Sequence, residues 1–477
     1  MSGPLLLIGF PLLLSGIAWG IGRWRVAAWA VATGGAGLLA LAALRLPLGE
    51  PLHLLGASFT IGRTLTVLGR PFTVELDQRP ALMFLYLAGT FLFGGALPAR
   101  PGRLFLPAGL ASLGLLAAAL FVQPFLFAAI FIVLVAALTA AALVDDDHPN
   151  PRGPLLYLIY MALGMPFALV AGWLIEGGSP AADPLLQGRL AVLIGAAFAL
   201  WLAIVPFHSW VPLLLDESPP FAAAFVMVIV RGAILFFLLR FLNEYFWMRQ
   251  NAGFLQALTL GGAGLALLGG GLAPVQQRLG RLMGYAVLVD IGTALAGIAA
   301  GSANAGTETG SMGIGLSLAL IALRGLALGV WALGLTALRR AAATGTGESD
   351  SLERLRGFGR KMPLATAAVL LGGLSLVGFP LTAGFPTRWA LLRLLAPSAP
   401  GVGLALLLAG AGVVLGYARF LAALFAPHPA EPAARPGVLE QLYLAAGVAL
   451  ILFLGAFPQT VLPAVTRAAL SLRNLAP

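Results

Sequence analysis

Fourteen almost uncharged apolar stretches follow one another along this chain, at 4–22, 26–46, 80–98, 104–122, 124–144, 154–175, 189–206, 219–243, 253–273, 282–301, 312–338, 363–384, 399–423 and 439–458. Each approaches the roughly 20 residues that carry an α-helix across a bilayer. In lipid every backbone polar group must be satisfied within the structure, which leaves helices and closed barrels. A barrel needs apolar residues at alternate positions, and these runs are continuous. The chain therefore reads as an all-α polytopic membrane protein with about fourteen transmembrane helices. Charge agrees: 28 basic and 18 acidic residues in 477 make 10% of the chain, against about a quarter in a soluble domain. No separate soluble domain fits between the runs.

The absence of cysteine excludes disulfides, thiolate metal sites, iron–sulfur clusters and cysteine nucleophiles. His53, His148, His208 and His428 are too scattered for a histidine metal cage. No strand–GxGxxG–helix unit is present to hold a dinucleotide, so no cofactor is expected. A formal charge of +10 on a soluble domain points to nucleic acid, but here the arginines sit in short loops, where they set topology. Met1–Pro4 has no basic n-region, and Arg23 and Arg25 follow the first apolar run. That run reads as an anchor entering N-terminus-out rather than as a cleaved signal peptide. Arg23, Arg25, Arg100, Arg103, Arg152, Arg278, Arg281, Arg339, Arg340, Arg354, Arg356, Arg360, Lys361 and Arg435 then share the inner side. Fewer basic residues fall outside, among them Arg45, Arg63, Arg70, Arg79, Arg189, Arg249, Arg467 and Arg473. The positive-inside rule puts both termini on the outer side of an inner (plasma) membrane, with the acidic run 145–147 the one inner loop against it.

Two connections are long. Residues 47–79 alternate at Ser58-Phe59-Thr60-Ile61 and Phe72-Thr73-Val74-Glu75, the pattern of a small external hairpin. Residues 339–361 read as an internal linker with one short amphipathic turn. The seventh run ends at Val205-Pro206-Phe207-His208, and the twelfth is interrupted at Val377-Gly378-Phe379-Pro380. Broken helices at corresponding places in two halves are the sequence pointer to a transporter whose ion path lies at the breaks. Pro206, Gly378 and Pro380 are the predicted break residues.

An ionisable group inside an apolar run costs several kcal/mol unless paired or hydrated, and is a functional candidate by default. Arg231, Asp290 and Arg324 fall mid-run. Arg388 follows the break in the twelfth run, His208 adjoins that in the seventh, and Asp216 and Glu217 are expected in the loop beyond it. Three arginines against one aspartate require Asp290 to pair with one of them, the rest finding carbonyls, water or acids on another chain.

The segments around these residues resemble a known family. Pro206-Phe207-His208-Ser209-Trp210-Val211-Pro212 with Asp216-Glu217-Ser218-Pro219 is similar to the PFHxWxP…ExxP signature of the antiporter-like membrane subunits of respiratory complex I. Arg281-Leu282-Met283-Gly284-Tyr285 with Asp290-Ile291-Gly292 resembles that family's RLxxYSSxxHxG segment. Ser375-Leu376-Val377-Gly378-Phe379-Pro380 with Ala383-Gly384-Phe385-Pro386-Thr387-Arg388-Trp389 resembles its SLxGxPxxAGFxxK segment, and Glu75-Leu76-Asp77 its entry to the third helix. In order, these cover roughly 70–395. The family also includes subunits of multisubunit sodium/proton antiporters and membrane-bound hydrogenases.

The resemblance implies an N-terminal part at 1–103, two inverted five-helix repeats at 104–243 and 253–423, and a C-terminal helix and tail at 439–477. It implies half-channels around the broken helices and a polar axis that moves protons. Redox chemistry in partner membrane and catalytic subunits drives that movement, with no redox site in this chain. Departures from the family pattern carry information. The fifth-helix Glu aligns near Ile132 and Val133, and the seventh-helix Lys with Trp201, so the pair gating the first half-channel is missing. The tenth-helix His aligns with Asp290, and three lysines align with Arg231, Arg324 and Arg388. Buried Lys can be tuned toward neutrality, whereas Arg starts above 12 and stays protonated. The expected role is thus proton translocation through the second half along His208, Arg231, Asp290, Arg324 and Arg388, with Asp290 the only ready proton exchanger. The alternatives are a non-pumping structural subunit of such a complex, a subunit of a Na⁺/H⁺ antiporter or hydrogenase, and an unrelated transporter working alone.

Overall fold

The computed structural model describes residues 2–45, 51–54, 57–144, 151–342, 350–427, 436–460 and 463. The acidic run 145–147, His148, His428, Arg435, Arg467 and Arg473 lie outside the described residues.

In chain order the elements are α1 (Gly3–Gly20), α2 (Arg25–Arg45), strands β1 (Pro51–Leu54), β2 (Ala57–Thr60), β3 (Thr64–Val67) and β4 (Arg70–Thr73), then α3 (Arg79–Ala99), α4 (Phe105–Phe121), α5 (Ala128–Ala142), α6 (Arg152–Gly177), α7 (Pro184–Trp201), α8 (Trp210–Glu217) and α9 (Pro220–Phe225). They continue with α10 (Arg231–Glu244), α11 (Phe246–Arg249), α12 (Ala252–Leu272), α13 (Leu279–Ala303), α14 (Glu308–Ala342), α15 (Phe358–Lys361), α16 (Pro363–Leu376), α17 (Phe385–Leu395), α18 (Pro400–Phe425) and α19 (Val438–Ala456). Among the described residues twelve helices are long and apolar enough to cross a membrane, and Phe105–Phe121 and Pro363–Leu376 are shorter apolar helices. The one expected external hairpin is two: β1 pairs antiparallel with β2, and β3 with β4. The second is tied to the bundle where the Gln123 N–H donates to the Pro71 carbonyl at 2.9 Å. The expected linker begins late, because α14 runs on to Ala342 before it.

Burial sorts the helices. The apolar windows of Pro220–Glu244, Leu279–Ala303 and Glu308–Ala342 are 94% buried, whereas those of Arg152–Gly177 and Val438–Ala456 are 22% buried. The first three form the interior and the last two the rim. On α6 the outward face is apolar, with Leu155, Ile159, Leu163 and Trp173 exposed, as suits a surface in contact with hydrocarbon. Small residues let the inner helices touch backbone to backbone. A Cβ on Gly284 of α13 would lie 2.4 Å from the Pro212 Cα of α8, so only glycine permits that approach.

Two helices are broken. α7 begins on a capping Asp183, whose Oδ1 accepts from Leu185 N at 2.9 Å and Leu186 N at 3.2 Å. It ends at Trp201, Ala203 takes a left-handed φ of 57°, and helix resumes only at Trp210 as α8. Asp216 and Glu217 therefore end a second half-helix rather than lying in the expected loop, because the chain re-enters helix after Pro206. α16 ends at Leu376, Gly378 and Leu381 take φ of 68° and 65°, and helix resumes at Phe385. The side chains and backbone of α13 and α14 pack between the two breaks, against α8, α9, α16 and α17.

Many of the loop arginines meet on one face. Arg340 Nη2 at the end of α14 donates to the Pro98 and Ala99 carbonyls at the end of α3, at 2.9 and 3.2 Å. Asp216 at the end of α8 pairs with Arg278 and Arg281 at the start of α13. The β-hairpins lie at the other face, where the Gly3 N–H at the start of α1 donates to the Gly62 carbonyl at 2.8 Å.

Candidate functional site

The continuous 3.6-residue winding of Pro220–Glu244 is interrupted by a π-turn at Val226–Val230, directly before Arg231. Such a single wide turn adds a residue to the helix, re-aims the side chains after it, and concentrates at functional positions. Arg231 is fully buried, and its Nε, Nη1 and Nη2 have no hydrogen-bond partner among the described residues. Its guanidinium instead lies 4.6 Å from the ring centroid of Trp210, at the start of α8, a cation–π contact. Trp210 in turn packs on Tyr157 of α6 at 5.3 Å between centroids, and the Tyr157 and Thr139 hydroxyls share a hydrogen bond of 3.0 Å. The break in α7 thus delivers an aromatic face to the charge that the π-turn turns inward.

Asp290 of α13 and Arg324 of α14 are both about 1% exposed. Arg324 Nε donates to Asp290 Oδ2 in a close ion pair, while its Nη1 and Nη2 have no hydrogen-bond partner among the described residues. This is the pairing that charge balance demands of Asp290. Arg231 lies within electrostatic reach of both Arg324 and Asp290, and Arg388 within reach of Asp290. Arg388, on α17, donates from Nη1 to the Leu376 carbonyl at 2.9 Å. It therefore crosses the second break to cap the last turn of α16, where a cation also complements the helix dipole. Gly378 makes room: a Cβ there would lie 2.7 Å from Arg388 Cδ. Beside it a cavity of about 210 Å³ is lined by Gly378, Phe379, Phe385, Arg388 and Trp389.

Three guanidinium groups and one carboxylate thus occupy the centre of the bundle. His208 is in the α7–α8 break, partly exposed, and no hydrogen bond or ion pair joins it to that line among the described residues. Pro206 lies in the same break, and Pro380 in the second. In the first half of the chain the two positions that depart from the family pattern carry apolar side chains. Ile132 is buried, and Trp201 is fully buried with its indole N–H donating to the Met161 carbonyl at 3.0 Å, packed against Gly164.

A second charged cluster lies at the arginine-rich face. Arg278 Nε approaches Asp216 Oδ1 at 2.8 Å and Asp350 Oδ1 at 3.3 Å, Arg281 Nε approaches Asp216 Oδ2 at 2.7 Å, and Arg339 Nη2 approaches Asp350 Oδ2 at 2.8 Å. Arg339 also donates to the Asp216 and Ser218 carbonyls at 2.9 and 3.1 Å. Burial alone would raise the Asp350 carboxyl, but Arg339 and Arg278, with the Gly280 N–H, outweigh it and hold it below the usual carboxylate range. Sequence reading placed Asp350 in a linker and attached no role to it.

Compared with known proteins, residues 179–414 match the family model described as NADH:quinone oxidoreductase/Mrp antiporter, transmembrane. The chain is 32% identical over 399 residues to NADH-quinone oxidoreductase subunit N of Rhodopseudomonas palustris, a match spanning 82% of this chain and 78% of that one. The chain belongs to the family of antiporter-like membrane subunits of NADH:quinone oxidoreductase. Subunit N of Cereibacter sphaeroides is likewise 32% identical, over 82% of this chain and 79% of its own. In fold, the chain matches a chain of the Mrp complex from a Dietzia species with a TM-score of 0.79 at 16% identity, covering 99% and 97% of the two chains. It matches a chain of respiratory complex I from Thermus thermophilus, solved with bound aureothin, with a TM-score of 0.72 at 22% identity, covering 95% and 99%.

Within this antiporter-like family, two features of the site were not foreseen from sequence. The π-turn leaves no trace in an unbroken apolar run. The Tyr157–Trp210–Arg231 stack joins residues far apart in the chain, and the only signal for it was an aromatic in the segment after Pro206.

Proposed function

We propose that this chain is a membrane-arm subunit of a redox-driven, complex I-type proton pump, lying in the inner membrane among other membrane subunits, and that its central Arg231–Arg324–Asp290–Arg388 line serves proton movement in the second half of the molecule. Family membership supports the first part. The observation that carries the second is the Asp290–Arg324 pair, buried on two interior helices beside Arg231, whose guanidinium has no hydrogen-bond partner among the described residues. Guanidinium groups stay protonated, so they hold and orient water and repel cations, while Asp290 is the group that can accept and release a proton. Protonating Asp290 would free Arg324 from its partner and leave three like charges to rearrange, which gives the line two states.

In this reading α4–α10 and α12–α18 are the two inverted repeats, near 104–243 and 253–423, each with its fourth helix broken. The shorter helices Phe105–Phe121 and Pro363–Leu376 complete fourteen crossings, the latter continued by α17. The arginine-rich face is the inner one, and both termini lie outside. His208 joins the path through water at the α7–α8 break. A second reading, a subunit kept for assembly alone, is favoured by Trp201 and Ile132 filling the first half. A Na⁺/H⁺ antiporter or hydrogenase subunit is the related alternative, supported by the fold shared with the Mrp complex.

The test is Asp290→Asn in the assembled complex. Protons moved per electron should fall while electron transfer and subunit content persist, and Asp290→Glu should retain pumping. Undiminished pumping by the Asn variant would leave the assembly reading in possession.

A further inference from the structure

At the arginine-rich face, away from the central line, the turns joining α1 to α2 and α3 to α4 enclose a cavity of about 330 Å³. Arg23, Arg25, Arg100 and Arg103 line it, together with apolar walls from Trp29, Leu97 and Leu106. All four arginines are exposed, and among the described residues none of them forms an ion pair with an acidic side chain. Glu440, within electrostatic reach of Arg100, is paired with Arg340 at 3.4 Å. Four converging cations, with one carboxylate shared between Arg100 and Arg340, are left in net repulsion, an arrangement that an anion relieves.

The walls are held in place independently of any ligand. The Trp29 indole N–H donates to the Gly94 carbonyl at 3.0 Å, joining α2 to α3, and Ser15 Oγ donates to the Pro107 carbonyl at 2.8 Å, joining α1 to α4. Arg100 itself takes a left-handed φ of 51° at the end of α3, with its N–H on the Ala96 carbonyl at 3.0 Å. The cavity opens where membrane helices end, and Trp19 and Trp24 beside it are 72% and 58% exposed, the place where aromatic rings meet lipid headgroups. Below them the outer face of α1 is apolar, with Leu13 and Ile17 exposed.

We infer that this cavity is a binding site for the phosphodiester headgroup of an anionic lipid, best filled by one bearing two phosphates, with its acyl chains along the outer face of α1. Forked guanidinium groups suit phosphate oxygens two at a time, and basic pockets between helix ends on the inner side are where doubly charged headgroups are recognised. The chemistry alone, phosphate held by arginine, is shared with free phosphate. The apolar walls and the tryptophans beside them favour the lipid.

The experiment uses the full chain purified in detergent, with native mass spectrometry and thermal unfolding read against added diphosphatidylglycerol, phosphatidylcholine and inorganic phosphate. Diphosphatidylglycerol is expected to bind saturably and raise the melting temperature, with phosphatidylcholine and millimolar phosphate having no effect. Arg25→Gln with Arg103→Gln should weaken lipid binding at least about tenfold, and Arg25→Lys with Arg103→Lys, which keeps the charge, should weaken it less. Arg354→Gln with Arg356→Gln, outside the cavity, should bind as the parent does. Equal binding by the Gln pair and the parent would overturn the site, and equal protection by inorganic phosphate would overturn the lipid assignment. Should the Gln pair fail to fold, Arg23→Gln with Arg100→Gln gives the same reading.

Discussion

Replacing Arg324 by Ala is expected to destabilise the protein by about 3–5 kcal/mol, the range found when one partner of a buried ion pair is removed and the other charge is left uncompensated. Asp290 is 1% exposed and has Arg324 as its close partner, so the truncation leaves a buried carboxylate with Arg231 and Arg388 at longer range only. The variant should therefore unfold at a lower temperature in detergent. A variant that melts with the parent at neutral pH would show that the pair adds nothing to stability. Removing both charges together, as Asp290→Asn with Arg324→Gln, should recover part of the loss, because neither member of the close pair is left facing a missing partner, while Arg231 and Arg388 lose the carboxylate within their reach.

The second large effect is expected at the arginine-rich face. Asp350 holds Arg278 and Arg339 and accepts from the Gly280 N–H at 3.2 Å, so it fastens the segment before α15 across the starts of α13 and the end of α8. Asp350→Ala removes the carboxylate that holds Arg278 and Arg339 and should cost about 3 kcal/mol. It should also expose Arg354 and Arg356 to trypsin, with cleavage there accelerated about tenfold. Cleavage at the parent rate would mean that the segment is held by something other than this carboxylate. The pH dependence follows from sign. Because the folded Asp350 carboxyl is held below its unfolded value of about 3.9, its contribution is complete above that value and is lost as pH falls through the lower folded one. The Ala variant should therefore lose less stability than the parent on acidification below about pH 4.

How much of this was legible in the sequence differs by level. The membrane helices were, because hydropathy is a local property: each apolar run, from 4–22 to 439–458, contains helix. The breaks near Pro206 and Gly378 were legible for the same reason, since proline and a left-handed glycine stop a helix locally. That Asp290 would take an arginine followed from charge balance alone, but not which one, because α13 and α14 meet side by side only in the folded chain. Asp216 shows the limit from the other direction. After the break at Pro206 a loop was expected, yet eight apolar-rich residues wind once more as α8 and carry Asp216 into a buried cluster. Asp350 was illegible because its partners lie 72 and 11 residues away, and polar linker composition says nothing about where a linker docks. Arg231 was found by its charge, but its aromatic partner depended on a π-turn and a half-helix that no periodicity announces.

The interior line stands or falls on whether Asp290 moves protons or merely neutralises an arginine. The double variant Asp290→Asn with Arg324→Gln separates the two, since it removes the exchangeable proton together with the arginine that Asp290 pairs with. Proton translocation per electron, measured in vesicles containing the assembled complex, should be reduced in this variant while the complex assembles and melts close to the parent. Pumping at the parent stoichiometry in that well-assembled variant would contradict the account.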